Sequence, residues 1–166
     1  MSKKVLVGYS TRYGSTGDVA ETIARVVREA GIEVDVCQVR DIKSLTDYNA
    51  VILWAPLFMF HWHKDVLRFL SKHQRILLNL QVAIFALGPT HDPYDEQEWR
   101  NSWSQLNKEL ENYSWLKPVE IEMFGGKYDP TKLKFPLKMM AGSVPASDIR
   151  DEEAIQAWAR KLIEKL

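Results

Sequence analysis

The chain opens with KKVLVGY (residues 3–9), a short apolar run containing β-branched residues that stops abruptly at the polar STRYGST. A run of this length with polar boundaries predicts a strand buried on both faces. From 16 to 30 the period changes: Val19, Ile23, Val26 and Val27 fall on one helical face, and Gly31 stands where a helix would stop. IEVDVCQV (32–39) alternates as a second strand, AVILWA (50–55) supplies a third and VAIFALG (82–88) a fourth. Val66, Leu67, Phe69 and Leu70 mark a helix between the third and fourth strands, and Trp99, Trp103, Leu106 and Leu110 mark another over about 96–113. PVEIEMF (118–124) alternates as a fifth strand, and Ile155, Trp158, Ala159 and Leu162 give a closing helix over about 151–166. Strands alternating with helices predict the α/β class, a parallel sheet covered by helices on both faces.

One segment exceeds what a simple crossover needs. Residues 125–150 read as an insertion in a single domain spanning 1–166. Within it GGKYDPTKLKFPLKMMAG mixes Lys127, Lys132, Lys134 and Lys138 with Leu133, Phe135, Leu137, Met139 and Met140. Asp129–Pro130 has the order of a helix cap followed by its first residue. Two readings stand: the segment rests on its own domain, or 127–140 lies on an anionic membrane.

Composition narrows the classes. Lys+Arg and Asp+Glu are equal at 22 each, so no net field favours a nucleic-acid partner, and none is expected. The single cysteine, Cys37, excludes an internal disulfide, suits a reducing compartment, and by its mid-strand position reads as inert core. MSKK leads into only five apolar or small residues, which does not predict a secretory leader, and the longest apolar run, 50–60, is too short to span a bilayer. The expectation is a cytoplasmic protein, with contact at the inner face of a membrane left open.

The loop STRYGST follows the first strand and precedes the first helix. Thr11, Ser15 and Thr16 supply hydroxyls, Gly14 permits close backbone approach, and unpaired helix N–H groups converge there, which suits a phosphate. Ordinary helix capping by Ser15 or Thr16 is the alternative. A Walker A lysine is missing, and Gly8, Gly14 and Gly17 do not make G-x-G-x-x-G.

VLVGYSTRYGSTGDVAETIA resembles the first strand, phosphate loop and first helix of the flavodoxin superfamily, which binds FMN. YSTRYGST, the HWH at 61–63, FGGKYDP and the closing DIRDEEAIQAWARKL resemble one branch of it, the flavodoxin-like domain proteins and menaquinone-dependent protoporphyrinogen oxidases. The resemblance implies a doubly wound five-stranded sheet of order 2-1-3-4-5. It also implies that Thr11, Arg12, Tyr13, Gly14, Ser15 and Thr16 cradle the FMN phosphate, with Arg12 either paired to it or turned to solvent.

Such sheets bind ligand at the carboxyl ends of their strands. The resemblance therefore assigns the flavin ring to Pro56, Leu57, Phe58, Met59, Phe60 and Trp62 after the third strand, and to Leu87, Gly88, Pro89, Thr90 and His91 after the fourth. The first group is apolar enough to wall a flat heterocycle, and a satellite core under the third helix is the competing reading. Between 56 and 63 there is neither the glycine of small carriers nor the arginine of the oxidase branch. A stiff backbone there favours two-electron chemistry. His61 and His63 are candidate catalytic proton donors, whereas an H-x-H pair is a weak metal motif even with His91, so no metal is expected.

The function that follows is an FMN-binding oxidoreductase, with a quinone-linked dehydrogenase of the protoporphyrinogen oxidase type as its closest enzymatic analogy. The alternative is a flavodoxin-type electron-transfer protein with no substrate of its own. A flavin-free signalling module is remote, because a phospho-receiver needs acidic residues where Gly8–Tyr9 and Ala55–Pro56 stand. Partners left open are a redox protein, a quinone, a small-molecule substrate and a second copy of the chain.

Overall fold

The run at 3–9 forms β1 (Lys4–Tyr9), with Val5, Leu6 and Val7 fully buried. The computed structural model describes residues 2–10, 17–58, 61–140, 142 and 144–166, and for Leu57, Phe58 and Leu137 the backbone alone. After β1 come α1 (Gly17–Glu29), β2 (Glu33–Gln38), β3 (Ala50–Trp54), β4 (Leu57–Phe58), β5 (His61–Trp62) and α2 (Lys64–Leu77). They are followed by β6 (Gln81–Leu87), α3 (Glu96–Glu111), β7 (Glu120–Phe124), β8 (Lys127–Tyr128), α4 (Leu137–Met140), β9 (Ser147–Asp148) and α5 (Glu152–Ile163).

The main sheet has the order β2-β1-β3-β6-β7, every neighbouring pair parallel. Apart from the short hairpin strands this is the expected 2-1-3-4-5 order. The two-residue alternation of a strand divides the core. Ala50, Ile52 and Trp54 join the cluster under α1 and α5, whereas Val51, Leu53 and Ala55 join the cluster under α2 and α3. In the first cluster Trp158 of α5 meets Phe124 edge-on at 5.7 Å and Phe85 at 6.1 Å.

The helices begin and end for local reasons. In α1, Asp18 in the first turn and Arg28 in the last oppose the helix dipole, and Gly31 at φ +83° lies just beyond its end. Asp95 caps α3 by accepting from the N–H groups of Gln97 and Glu98, and Asp151 caps α5 through Ala154.

Three features depart from the sequence reading. The stretch after β3 is an antiparallel hairpin, with Leu57 opposite Trp62 and Phe58 opposite His61. Bulky aromatic and branched residues suit a pleated strand even in so short a piece. Cys37 is half-buried because β2 is an edge strand, and burial raises its thiol pKa. Inside 125–150, β8 and β9 pair antiparallel, so the insertion leaves and returns through one narrow base. Asp129 does cap a 3-10 turn beginning at Pro130, accepting from the Thr131 N–H at 3.0 Å.

Candidate functional site at the carboxyl edge of the sheet

The chain leaves β1 for β2 on one side of the sheet and then crosses to β3 on the other, so the carboxyl ends of β1 and β3 flank the switch point. The loops after β1, β3 and β6 all open at this edge. Thr11, Arg12, Tyr13, Gly14, Ser15, Thr16, Met59 and Phe60 lie outside the described residues, and Leu57 and Phe58 are described by backbone alone.

The hairpin after β3 is anchored by its second strand. Trp62 is 2 % exposed and stacks on Tyr113 with ring centroids 5.4 Å apart and planes 6° apart. It therefore belongs to the core under α2 and α3, where its indole fastens the hairpin, and Pro56 is half-buried at the hairpin's start. Burial, with Glu109 close by, raises the Tyr113 pKa. His61 is exposed and its Nδ1 lies 3.6 Å from Oε2 of Glu109, a carboxylate that is itself buried. His63 turns elsewhere: it accepts the Asp65 N–H at the start of α2 and meets Ser10 Oγ at 2.9 Å. The two histidines thus have separate partners, and the described residues contain no group of three or more His, Cys, Asp or Glu placed to hold a metal ion.

The loop after β6 is held from outside. Gly88 donates its N–H to Phe124 O at 2.9 Å, and Gly126 donates to Pro89 O at 2.7 Å. Glu98 takes the Thr90 N–H on one carboxylate oxygen at 3.1 Å and the His91 N–H on the other at 3.0 Å. The Ser147 hydroxyl donates to Thr90 O. His91 Nδ1 lies 2.9 Å from Pro93 O, and since a carbonyl only accepts, the proton is on Nδ1. Leu87 is half-buried at the end of β6, and Pro89 is buried. This close approach of three chain segments explains the glycine pair after β7. A Cβ on Gly125 would stand 2.4 Å from Ile149 O, and one on Gly126 3.1 Å from Thr90 Cγ2. Beside the loop lies a cavity of about 280 Å³ whose lining includes His91, Tyr94, Trp99, Phe124 and Ile149.

Trp54, Glu98 and Ser10 were missed by sequence reasoning. Trp54 closes β3 and is 7 % exposed, and its Nε1 is buried with no hydrogen-bond partner among the described residues. A buried donor without an acceptor is costly, so this strand end calls for one. Glu98 was findable, because Asp95-x-x-Glu98 is a capping-box spacing. Its carboxylate serves the neighbouring loop instead of the helix. Ser10 carries no signal in sequence; its role depends on His63, 53 residues away.

A parallel, doubly wound sheet of this order has its switch point between β1 and β3, the place where open α/β sheets of the nucleotide-binding class take their ligand. The chain belongs to the flavodoxin family: the Flavodoxin domain model matches residues 6–152. It is 27% identical over 166 residues to Protoporphyrinogen IX dehydrogenase [quinone] of Escherichia coli K12, covering 93% of this chain and 88% of that protein. It is also 27% identical over 169 residues to the protein of the same name from Leishmania major, covering 95% and 71%. Among solved structures, oxidised Flavodoxin 1 from Bacillus cereus superposes with a TM-score of 0.59 at 19% identity, covering 99% of both chains.

Family membership makes FMN the cofactor, and the described residues fit it on two counts. Trp54 Nε1, at the carboxyl end of β3, is one of four buried side-chain nitrogens without a partner among the described residues, and an oxygen of FMN at that edge would suit it. At Gly17, the first residue of α1, a Cβ would meet no described atom within 4 Å, so no described side chain fills the start of the helix, where an anion would be favoured.

Proposed function

We propose that this chain is an FMN-dependent dehydrogenase that delivers electrons to a quinone, acting on a porphyrinogen-type donor. One observation carries the reading: the carboxyl ends of β1, β3 and β6 lie side by side in the sheet, at its switch point. The two relatives named as quinone-linked protoporphyrinogen IX dehydrogenases, aligned over 93% and 95% of this chain, supply the quinone and the donor class.

When bound, FMN supplies the redox chemistry, and the chain positions it. In this reading 11–16 hold the phosphate, and the 56–63 and 87–91 loops flank the ring. Trp62 anchors the first of those loops from below, and the Glu98 carboxylate keeps the second in place. His61 and His63 remain the candidates for moving a proton. We read 1–166 as one domain, with 125–150 as an excursion from it.

That excursion supports a membrane-side acceptor. Phe135, Met139 and Met140 are between 75% and 79% exposed, and no acidic residue lies between Pro130 and Ser147 to offset Lys132, Lys134 and Lys138. Apolar side chains interleaved with lysines suit the surface of an anionic bilayer. No helix among the described residues is long and apolar enough to cross a membrane.

The test is purification followed by FMN titration, then anaerobic addition of a porphyrinogen with either menadione or a small redox protein as acceptor. Yellow protein that oxidises the porphyrinogen and reduces menadione is the expected result. Reduction of the redox protein alone, without turnover of the porphyrinogen, replaces the reading with that of a flavodoxin-type electron carrier. Colourless protein that cannot be reconstituted rejects both.

A further inference from the structure

His63 ends the loop after β3, and its ring makes two contacts through one atom. Nδ1 lies 2.9 Å from Ser10 Oγ and 3.4 Å from the backbone nitrogen of Asp65. A backbone N–H can only donate, so Nδ1 carries a lone pair and the ring proton sits on Nε2. The Ser10 hydroxyl therefore donates to the same Nδ1. The contact is shielded, because Ser10 is only 3 % exposed and His63 is half-buried.

The position of these residues gives the contact its meaning. Ser10 is the last residue before 11–16, and the backbone of His63 donates to Pro56 O at 3.1 Å, closing the base of the 56–63 loop. One nitrogen thus ties together the roots of two loops and caps α2. The Asp65 carboxylate stands 3.6 Å from Nδ1 and is paired with Arg68 at 3.9 Å.

We propose that His63 is a positioning residue that joins Ser10, at the root of the 11–16 segment, to the base of the loop after β3 through the Ser10–Nδ1 hydrogen bond, and so sets the affinity for FMN. This rests on the FMN reading above. A ligand held by two loops must order both, and a fastener already in place lowers that cost.

The test is FMN affinity of the apo-protein, read from quenching of flavin fluorescence, with apo-protein melting temperature followed in parallel. Asparagine at 63 puts an amide oxygen where Nδ1 stands and is itself a good helix cap, whereas glutamine reaches only the region of Nε2. His63→Asn should bind within about twofold of the unaltered protein. His63→Gln and Ser10→Ala should each bind about fivefold more weakly, the value of one hydrogen bond near 1 kcal/mol. The double variant should be no weaker than either single one, since both remove the same contact. Ser10→Ala leaves the α2 cap intact, so its loss of affinity is separate from any instability of the helix.

Unchanged affinity in Ser10→Ala, full affinity in His63→Gln, or losses that add in the double variant would each overturn the proposal. Unaltered protein that binds no FMN rejects the FMN reading itself, and the proposal falls with it.

Discussion

The loops after β3 and β6 leave neighbouring strands at the same edge of the sheet and are held differently. The first has structure of its own, a β4–β5 hairpin that sinks one large aromatic, Trp62, into the core against Tyr113. The second has almost none, and it is held by its neighbours: the Glu98 carboxylate, the Ser147 hydroxyl and the Gly126 N–H. Burial of Trp62 holds the first, with the hydrogen bonds of His63 only at its base, and directional hydrogen bonds along its length hold the second. Apolar burial is strong but tolerant of small shifts, whereas hydrogen bonds to backbone groups fix particular peptides. The wall after β6 is accordingly the one whose peptide positions are specified individually.

Substitutions should separate the two modes of anchoring. The largest effect is expected from Trp62→Ala, which opens a cavity beside Tyr113 and should cost about 3–5 kcal/mol in urea unfolding at neutral pH. Glu98→Ala should cost less, about 1–2 kcal/mol, with a local signature in amide exchange. Thr90 and His91 should exchange faster while α2 keeps its protection, because the lost acceptor serves those two N–H groups. In Glu98→Gln only one amide oxygen accepts, so only one of the two N–H groups should stay protected.

The smallest effect is pH-dependent and falls on the α2 side. His73 is 4 % exposed, and burial, with Lys72 adding, holds its pKa below the ordinary 6.5. The unfolded chain therefore binds the proton more readily than the folded one. The stabilisation is complete above about pH 6.5, declines as the pH falls towards the lower folded value, and is flat below it. Urea midpoints measured between pH 7.5 and 5 should show this slope in the unaltered protein and a shallower one in His73→Phe. An unchanged slope in His73→Phe would assign it to other groups.

Much of the architecture was legible because it depends on periodicity. The five main strands, the four long helices and their alternation follow from where apolar residues recur, and Gly31 marked the end of α1 at the φ that only a glycine adopts easily. The stretch WAPLFMFHWH (54–63) was legible only in part. Its apolar character pointed to a buried surface, but periodicity over so few residues does not show that Trp62 turns into the core while His61 stays exposed. Gly88, Pro89 and His91 were expected at the carboxyl edge from strand order and follow β6 there, whereas Glu98, which fixes the last of them, sits on a helix that reads as scaffold. In Trp54 the alternation of β3 is visible, yet an indole N–H lacking an acceptor is visible only once its neighbours are in place.

By itself the sequence determined the main strands and long helices, their order, the family and therefore the cofactor, because each of these follows from local pattern or from a contiguous motif. The tertiary structure decided which side chains meet across long stretches of chain, such as Ser10 with His63, Trp62 with Tyr113 and Ser147 with Thr90 O. The physical reason is that hydrogen bonds and ring stacking act over a few ångströms. Residues far apart along the chain come within that range only when the sheet and helices have closed around them.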